Sequence, residues 1–245
     1  MSKENIGTLF LSVWMGLALT VLGPLSLFAG EGDAGRMIDS ALQKFESISD
    51  YTCLFTREEL VDGKTYRQAN IIYKFKKPLS VYMKWTEGPE KGIEVINPNP
   101  KRSDKLIAHP GHFNIINLSL DPHGHLAMRN SRHSILESPM GYVLGLVKNN
   151  YETSKKNSEG VITHKGEEII DGRKTLLFKA EFPQKDGYYG HQILINFDEQ
   201  LLLPLKIVVY DWDGRLLEKY EYSQLRLNTG LTPADFDIKN TAYSF

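Results

Sequence analysis

Residues 50–85, DYTCLFTREELVDGKTYRQANIIYKFKKPLSVYMKW, alternate apolar and polar side chains through three successive runs. YTCLFTREEL (51–60) reads as a strand that turns at Asp62-Gly63, and ANIIYKF (69–75) returns beside it. In KKPLSVYMKW (76–85), Leu79, Val81, Met83 and Trp85 point one way, while Ser80, Tyr82 and Lys84 point the other. Both sides carry apolar surface, because Tyr82 and the Lys84 stem are amphipathic. Two readings stand: the Leu79–Trp85 face fills an ordinary core, or part of it lines a cavity.

The rest of the chain continues this pattern. GIEVINP and KLIAHP flank the polar loop NPNPKRSD. The last hundred residues form a meander, with hairpins at Asp171-Gly172 and Asp213-Gly214 and strands in HQILINFD, LPLKIVVYD and RLLEKYEYSQL. LTPADFDI closes it, Thr232 capping a short turn begun by Pro233. Two helices are expected. Residues 35–48 place Met37, Ile38, Ala41, Leu42, Phe45 and Ile48 on one face, with Asp33 as N-cap. Residues 139–149 carry the stripe Met140, Val143, Leu144 and Val147, with Ser138 as cap and Pro139 in the first turn, and end in KNNYETSKKNSEG. Only two helices are available to cover one face of an eight- to ten-stranded sheet, so a strongly curved sheet has concave wall left over, to be filled by loops or to hold a ligand at a barrel mouth.

Composition excludes several classes. At 245 residues, 41% hydrophobic and 24% charged, the chain suits a single globular domain over 31–245. A net charge of −1 gives no field to recruit nucleic acid. From Asn5 to Gly30 there is no charged side chain, Lys3 precedes the apolar run, and Gly23-Pro24 breaks it before Phe28-Ala29-Gly30. Residues 1–30 therefore read as a secretory signal peptide cleaved near Ala29, or, if uncleaved, as an N-terminal anchor. The lone Cys53 forms no internal disulfide and no zinc cluster; flanked by Tyr51 and Phe55 in the alternation, it reads as a buried hydrophobe.

Catalytic and metal signals are weak. His109, His112, His123, His125 and His133 fall in HPGH, HGH and nearby loop positions with Asp121 between them, and they are assigned no metal. No G-x-S-x-G elbow or phosphate loop appears. The carboxylate pairs Glu58/Glu59 and Glu167/Glu168 point to opposite sheet faces and read as solvated charges. No catalytic residue and no cofactor is expected. DGYYGHQ (186–192) reads as a long turn, with Tyr188 and Tyr189 placed to meet a lipid headgroup if it lies at a cavity rim.

Helix, aromatic strand, polar hairpin, strand, basic residue–Pro and a strand ending in Trp, followed by helix 139–149 and the YDWDGRLLEKY meander, resemble the LolA/LolB-like periplasmic lipoprotein-carrier superfamily, in a branch of unknown function. The resemblance spans roughly residues 35–240. It implies an α+β fold: a single strongly curved antiparallel sheet, an incomplete β-barrel, with a few helices covering the concave side. It also implies an apolar cavity for acyl chains, a periplasmic location, and a lipid or lipoprotein cargo passed between membrane or membrane-protein donor and acceptor. The lining residues expected on that basis are Phe55, Tyr73 and Phe75, then Leu79, Val81, Met83 and Trp85, and, from the later meander, Ile195 and Phe197. Carriers of this type use a basic residue before the proline to hold a helical lid; Lys77 occupies that place as a possible gate, a point charge where an arginine fork is usual. The same resemblance leaves a second possibility, a tethered sensory or structural envelope module that binds a protein partner. A small envelope hydrolase has no positive support.

Overall fold

The computed structural model describes residues 31–98, 103–111 and 116–245; the expected leader and His112 lie outside them. Helix α1 (Glu31–Glu46) leads into strands β1 (Asp50–Val61), β2 (Lys64–Lys76), β3 (Ser80–Lys84), β4 (Glu94–Asn97), β5 (Leu106–His109) and β6 (Leu118–Leu120). A 3-10 turn (Ile135–Glu137) and helix α2 (Met140–Asn157) interrupt the strands. Strands β7 (Val161–Ile170), β8 (Arg173–Glu181), β9 (Gln192–Asp198), β10 (Pro204–Tyr210) and β11 (Leu216–Leu227) follow, with a last 3-10 turn at Pro233–Phe236. All belong to one antiparallel sheet of eleven strands, ordered β6-β5-β4-β3-β2-β1-β11-β10-β9-β8-β7. The chain thus lays down two meanders and joins them through the β1–β11 pair, leaving the sheet open at β6 and β7.

Bulges bend the long central strands. Between the pairs Phe55↔Ile71 and Arg57↔Gln68, β2 carries one residue more than β1, and Asn70 takes φ 51° there. Between Thr52↔Arg226 and Leu54↔Ser223, β11 carries the extra residue, with Gln224 at φ 51°. An extra residue on one strand increases local twist and bends it, which wraps this sheet around its concave contents.

The two helices fill only part of that hollow. Ala34, Met37, Ile38, Ala41 and Phe45 of α1 and Met140, Val143, Leu144 and Tyr151 of α2 are buried in the main core. The helices approach closely because Gly35 lies against the Tyr151 ring and Gly141 against the Phe45 ring; a Cβ at either position would overlap the ring it faces. Tyr51 accepts a hydrogen bond from the Met140 amide at 3.1 Å, and Tyr73 shares one with Ser138 at 3.0 Å, which fixes the start of α2 on the sheet.

Three helix expectations need correction. Asp33 is not an N-cap: the helix begins before it, and its carboxylate pairs with Arg36 one turn on. Ser138 is not the cap of α2; Pro139 holds that position, and the Ser138 hydroxyl donates to Ile135 O. Helix α2 runs to Asn157, through the polar stretch read as its end. Asn150 and Ser154 are buried there because their side chains bond to the Leu146 and Tyr151 carbonyls of the helix itself.

The far side of β3–β4 is not left to water. Tyr82 and Ile96 form a second small core with Phe236. Tyr82 stacks on Tyr243 with ring centroids 4.1 Å apart, and Lys74 reaches Tyr243 Oη at 3.0 Å. Both faces of KKPLSVYMKW are therefore covered, by different parts of the chain.

Candidate functional site

Register across the sheet builds the wall of a cavity. Cys53↔Tyr73, Tyr73↔Met83, Met83↔Val95, Val95↔Ala108 and Ala108↔Leu118 are successive cross-strand pairs, so these six side chains form one row on the concave face. The helices cover the Cys53–Tyr73 end. At the other end Ala108 supplies only a methyl group, and of the described helices α1 and α2 only Val143 borders the space beside β3–β6. A cavity of about 480 Å³ remains there, its opposite wall formed by the segment between Leu126 and Val143. That volume is in the range of about 300–1,000 Å³ usual for small-molecule sites. The lining includes exposed Leu126 and Arg129, so the cavity reaches the surface.

The cavity is graded from oily to polar. Along β1 the inward row runs Phe55, Arg57, Glu59, and beside it on β11 run Tyr222, Tyr220 and Glu218. Glu59 sits directly opposite Glu218, a like-charge cross-strand pair that is destabilising unless its charge is answered. The answer comes from the covering segment and the strands themselves. Tyr220 donates to Glu59 Oε1 at 2.6 Å, and the Arg132 amide donates to Glu59 Oε2 at 3.1 Å. Glu218 Oε2 accepts from Tyr189 Oη at 2.6 Å and lies 2.9 Å from His133 Nε2. The Arg132 guanidinium bonds to Leu60 O at 2.9 Å and to Tyr189 Oη at 3.1 Å. Arg57 donates to Gln68 Oε1 at 2.7 Å and to Ser131 Oγ at 2.8 Å. Arg132 and His133 thus latch the covering segment onto β1 and β11. Burial alone would lower the pKa of His133, but the Glu218 hydrogen bond and the charges of Glu218, Glu59 and Glu137 outweigh it and raise the pKa above the ordinary imidazole value.

The expectation that Glu59 is a solvated charge is overturned. It is 1% exposed, and its two oxygens are occupied as described. Adjacent residues on a strand do diverge, which sends Glu58 outward and Glu59 into the hollow.

The structure distributes the anticipated lining residues among three settings. Phe55, Met83 and Trp85 border the 480 Å³ cavity. Tyr73, Phe75 and Val81 are buried in the packed core, with Leu79 against its edge. Ile195 and Phe197 border a separate pocket of about 30 Å³ beneath α1 and α2. Lys77 lies away from the cavity: its ammonium bonds to Phe45 O at 3.0 Å, Glu46 O at 2.9 Å and Glu46 Oε2 at 3.1 Å, at the C-terminus of α1. Sequence reasoning did not assign to the lining the β4–β6 residues Val95, Ala108, Leu118 and Leu120, or Ile135 and Val143; Val95 and Ala108 showed only the alternation in GIEVINP and KLIAHP, and Val143 only its place in the apolar stripe of α2. Tyr188 is buried with its ring stacked on Phe182, while Tyr189 joins the Glu218 cluster. Among the described residues no three His, Cys, Asp or Glu side chains are placed to hold a metal ion, and no helix is long and apolar enough to cross a membrane.

Comparison with solved structures places this fold. The lipoprotein LppX of Mycobacterium tuberculosis matches over 84% of this chain and 99% of its own, with 13% identity and a TM-score of 0.51. A LolA superfamily protein from Nitrosomonas europaea matches over 83% of this chain and 97% of its own, with 11% identity and a TM-score of 0.33. The MucA/MucB complex of Pseudomonas aeruginosa matches over 84% of this chain and 60% of its own, with 14% identity and a TM-score of 0.44. At such identities the likeness is one of fold alone, and the match that carries it is the one to LppX. No curated protein matches the chain. Residues 48–245, from the start of β1 through the C-terminal turn, match a single family throughout, and the chain belongs to it: DUF1571, a family of proteins of unknown function.

Proposed function

We propose that the protein is a non-catalytic carrier that binds acyl chains of a lipid or lipidated protein in the cavity between β3–β6 and the Leu126–Val143 segment. One observation carries this reading: the concave sheet has about 480 Å³ of largely apolar space that the chain's own helices leave unfilled. The physics favours such an occupant. Each methylene brought from water to an apolar wall is worth about 0.8 kcal/mol, so a chain of some sixteen carbons costs on the order of 10 kcal/mol to hold in water. A wall of Phe55, Met83, Trp85, Val95, Leu118 and Leu120 offsets that cost without any reacting group. The LolA-like resemblance supports the same cargo. The uncharged run at 5–30 supports export to the envelope, in a bacterial setting the periplasm, where donor and acceptor are membranes or membrane proteins met transiently.

The test is direct. Protein isolated from cell envelopes without detergent is analysed by native mass spectrometry and organic extraction. Acyl species in stoichiometric amount are expected. A lipid-free protein that also fails to take up fatty acid from vesicles overturns the proposal.

A further inference from the structure

The polar end of the cavity holds donors that the fold does not use. Arg57 spends Nε on Gln68 and Nη1 on Ser131, and its Nη2 has no protein partner among the described residues. Gln68, paired with Arg57 across β1–β2, accepts from Arg57 through Oε1, and its amide NH₂ has no acceptor among the described residues. Arg129, exposed on the covering segment, makes no ion pair or hydrogen bond with described residues. All three line the cavity. The acids nearby are spoken for. Glu59 is bound by Tyr220 and Arg132, and Arg57 Nη1 lies 3.7 Å from it. Glu137 takes the Tyr142 hydroxyl and the Ser134 amide. Glu90, on the β3–β4 turn, is the one lining carboxylate with no side-chain partner among the described residues.

Unspent donors of Arg57 and Gln68 at one end of an oily cavity, with lining residue Arg129 two positions from the Ser131 that Arg57 holds, suit a ligand with an oily tail and a negative head. From Phe55 to Glu59 the inward row of β1 passes from aromatic to charged within about 14 Å, at roughly 3.4 Å per residue. A tail lying along the Met83–Val95–Ala108–Leu118 row brings its head to this end. We propose that the ligand is an anionic amphiphile, its phosphate or carboxylate held by Arg57, Gln68 and Arg129. This rests on the acyl-chain reading and narrows it: a neutral acylglycerol offers no charged acceptor to Arg57 Nη2 and the Arg129 guanidinium, whereas a charge-assisted contact rewards an anion.

Matched pairs of ligands separate the two claims. Oleate is compared with oleyl alcohol, and dioleoyl phosphatidate with dioleoylglycerol, each displacing the neutral probe N-phenyl-1-naphthylamine from the purified protein. Within a pair the tails are identical and only the anion differs. About tenfold tighter binding of the anionic member is expected. Arg129→Gln, at an exposed residue with no partner to lose, should cut that preference severalfold, and Arg57→Gln with Arg129→Gln should abolish it. Glu90→Gln should widen it. A preference confined to oleate assigns the carboxylate, and one confined to phosphatidate assigns the phosphate; both support the proposal. Equal binding within both pairs overturns the anionic head while the acyl-chain reading stands. A preference that survives the double substitution overturns the assignment to these residues. No displacement by any of the four overturns both readings.

Discussion

Ala108→Trp is the sharpest probe of the cavity. Ala108 is 9% exposed and projects from β5 into the open volume between Val95 and Leu118. An indole there adds about nine heavy atoms to the alanine methyl, room that roughly five methylenes of a bound chain would need; at about 0.8 kcal/mol each, some 4 kcal/mol of binding is lost, or about a thousandfold in Kd. The fold should tolerate the change, because the new ring enters empty space and displaces no packed neighbour; a shift within about 1 kcal/mol in unfolding free energy is expected. The assay is titration of oleate by calorimetry, with urea unfolding as the check on folding. Ile169→Trp, on the exposed face of edge strand β7, is the control and should bind as the parent does. If folded Ala108→Trp binds oleate with unchanged affinity, the chain lies elsewhere and the reasoning that places it here fails.

Three further outcomes follow from the same geometry. His133 has its pKa raised in the folded protein, so the stability of its protonated form is fully present below about pH 6.5 and is lost as pH rises through the folded value; unfolding free energies measured from pH 6 to 9 should fall, and the fall should vanish in His133→Asn. Lys77→Met removes three contacts to the C-terminus of α1 and should cost about 1 kcal/mol, seen as faster amide exchange in the last turn of α1, with oleate affinity unchanged; a marked loss of affinity would assign Lys77 a gating role. The Cys53 thiol is buried and its pKa pushed far up by desolvation, so thiol reagents should label it only at the rate of unfolding; rapid labelling of native protein would contradict its place in the core.

Much of the architecture was legible in the chain itself. Alternation within residues 51–60, 69–75 and 79–85 pointed to strands, Asp62-Gly63 and Asp171-Gly172 to hairpins, and α1 showed its apolar face at helical spacing. Too few helices for so many strands implied an uncovered wall. The site was read less well, because the same residue types serve a packed core and a cavity. Tyr73 and Met83 are neighbours in one cross-strand row, yet only Met83 borders the opening. The polar latch left no local trace: Glu59 meets its partners 73 and 161 positions away, at Arg132 and Tyr220.

By itself the sequence determined which side chains share a sheet face, since a period of two is enforced by the pleat wherever the backbone is extended. Only the tertiary structure decided what lies across from each face. The helices stop short of β3–β6, the segment after Leu126 arches over the remainder, and two opposed carboxylates are buried because Arg132 and His133 arrive from that arch. Facing is a local property of the backbone, whereas occupancy depends on segments that meet only after the chain has closed over them.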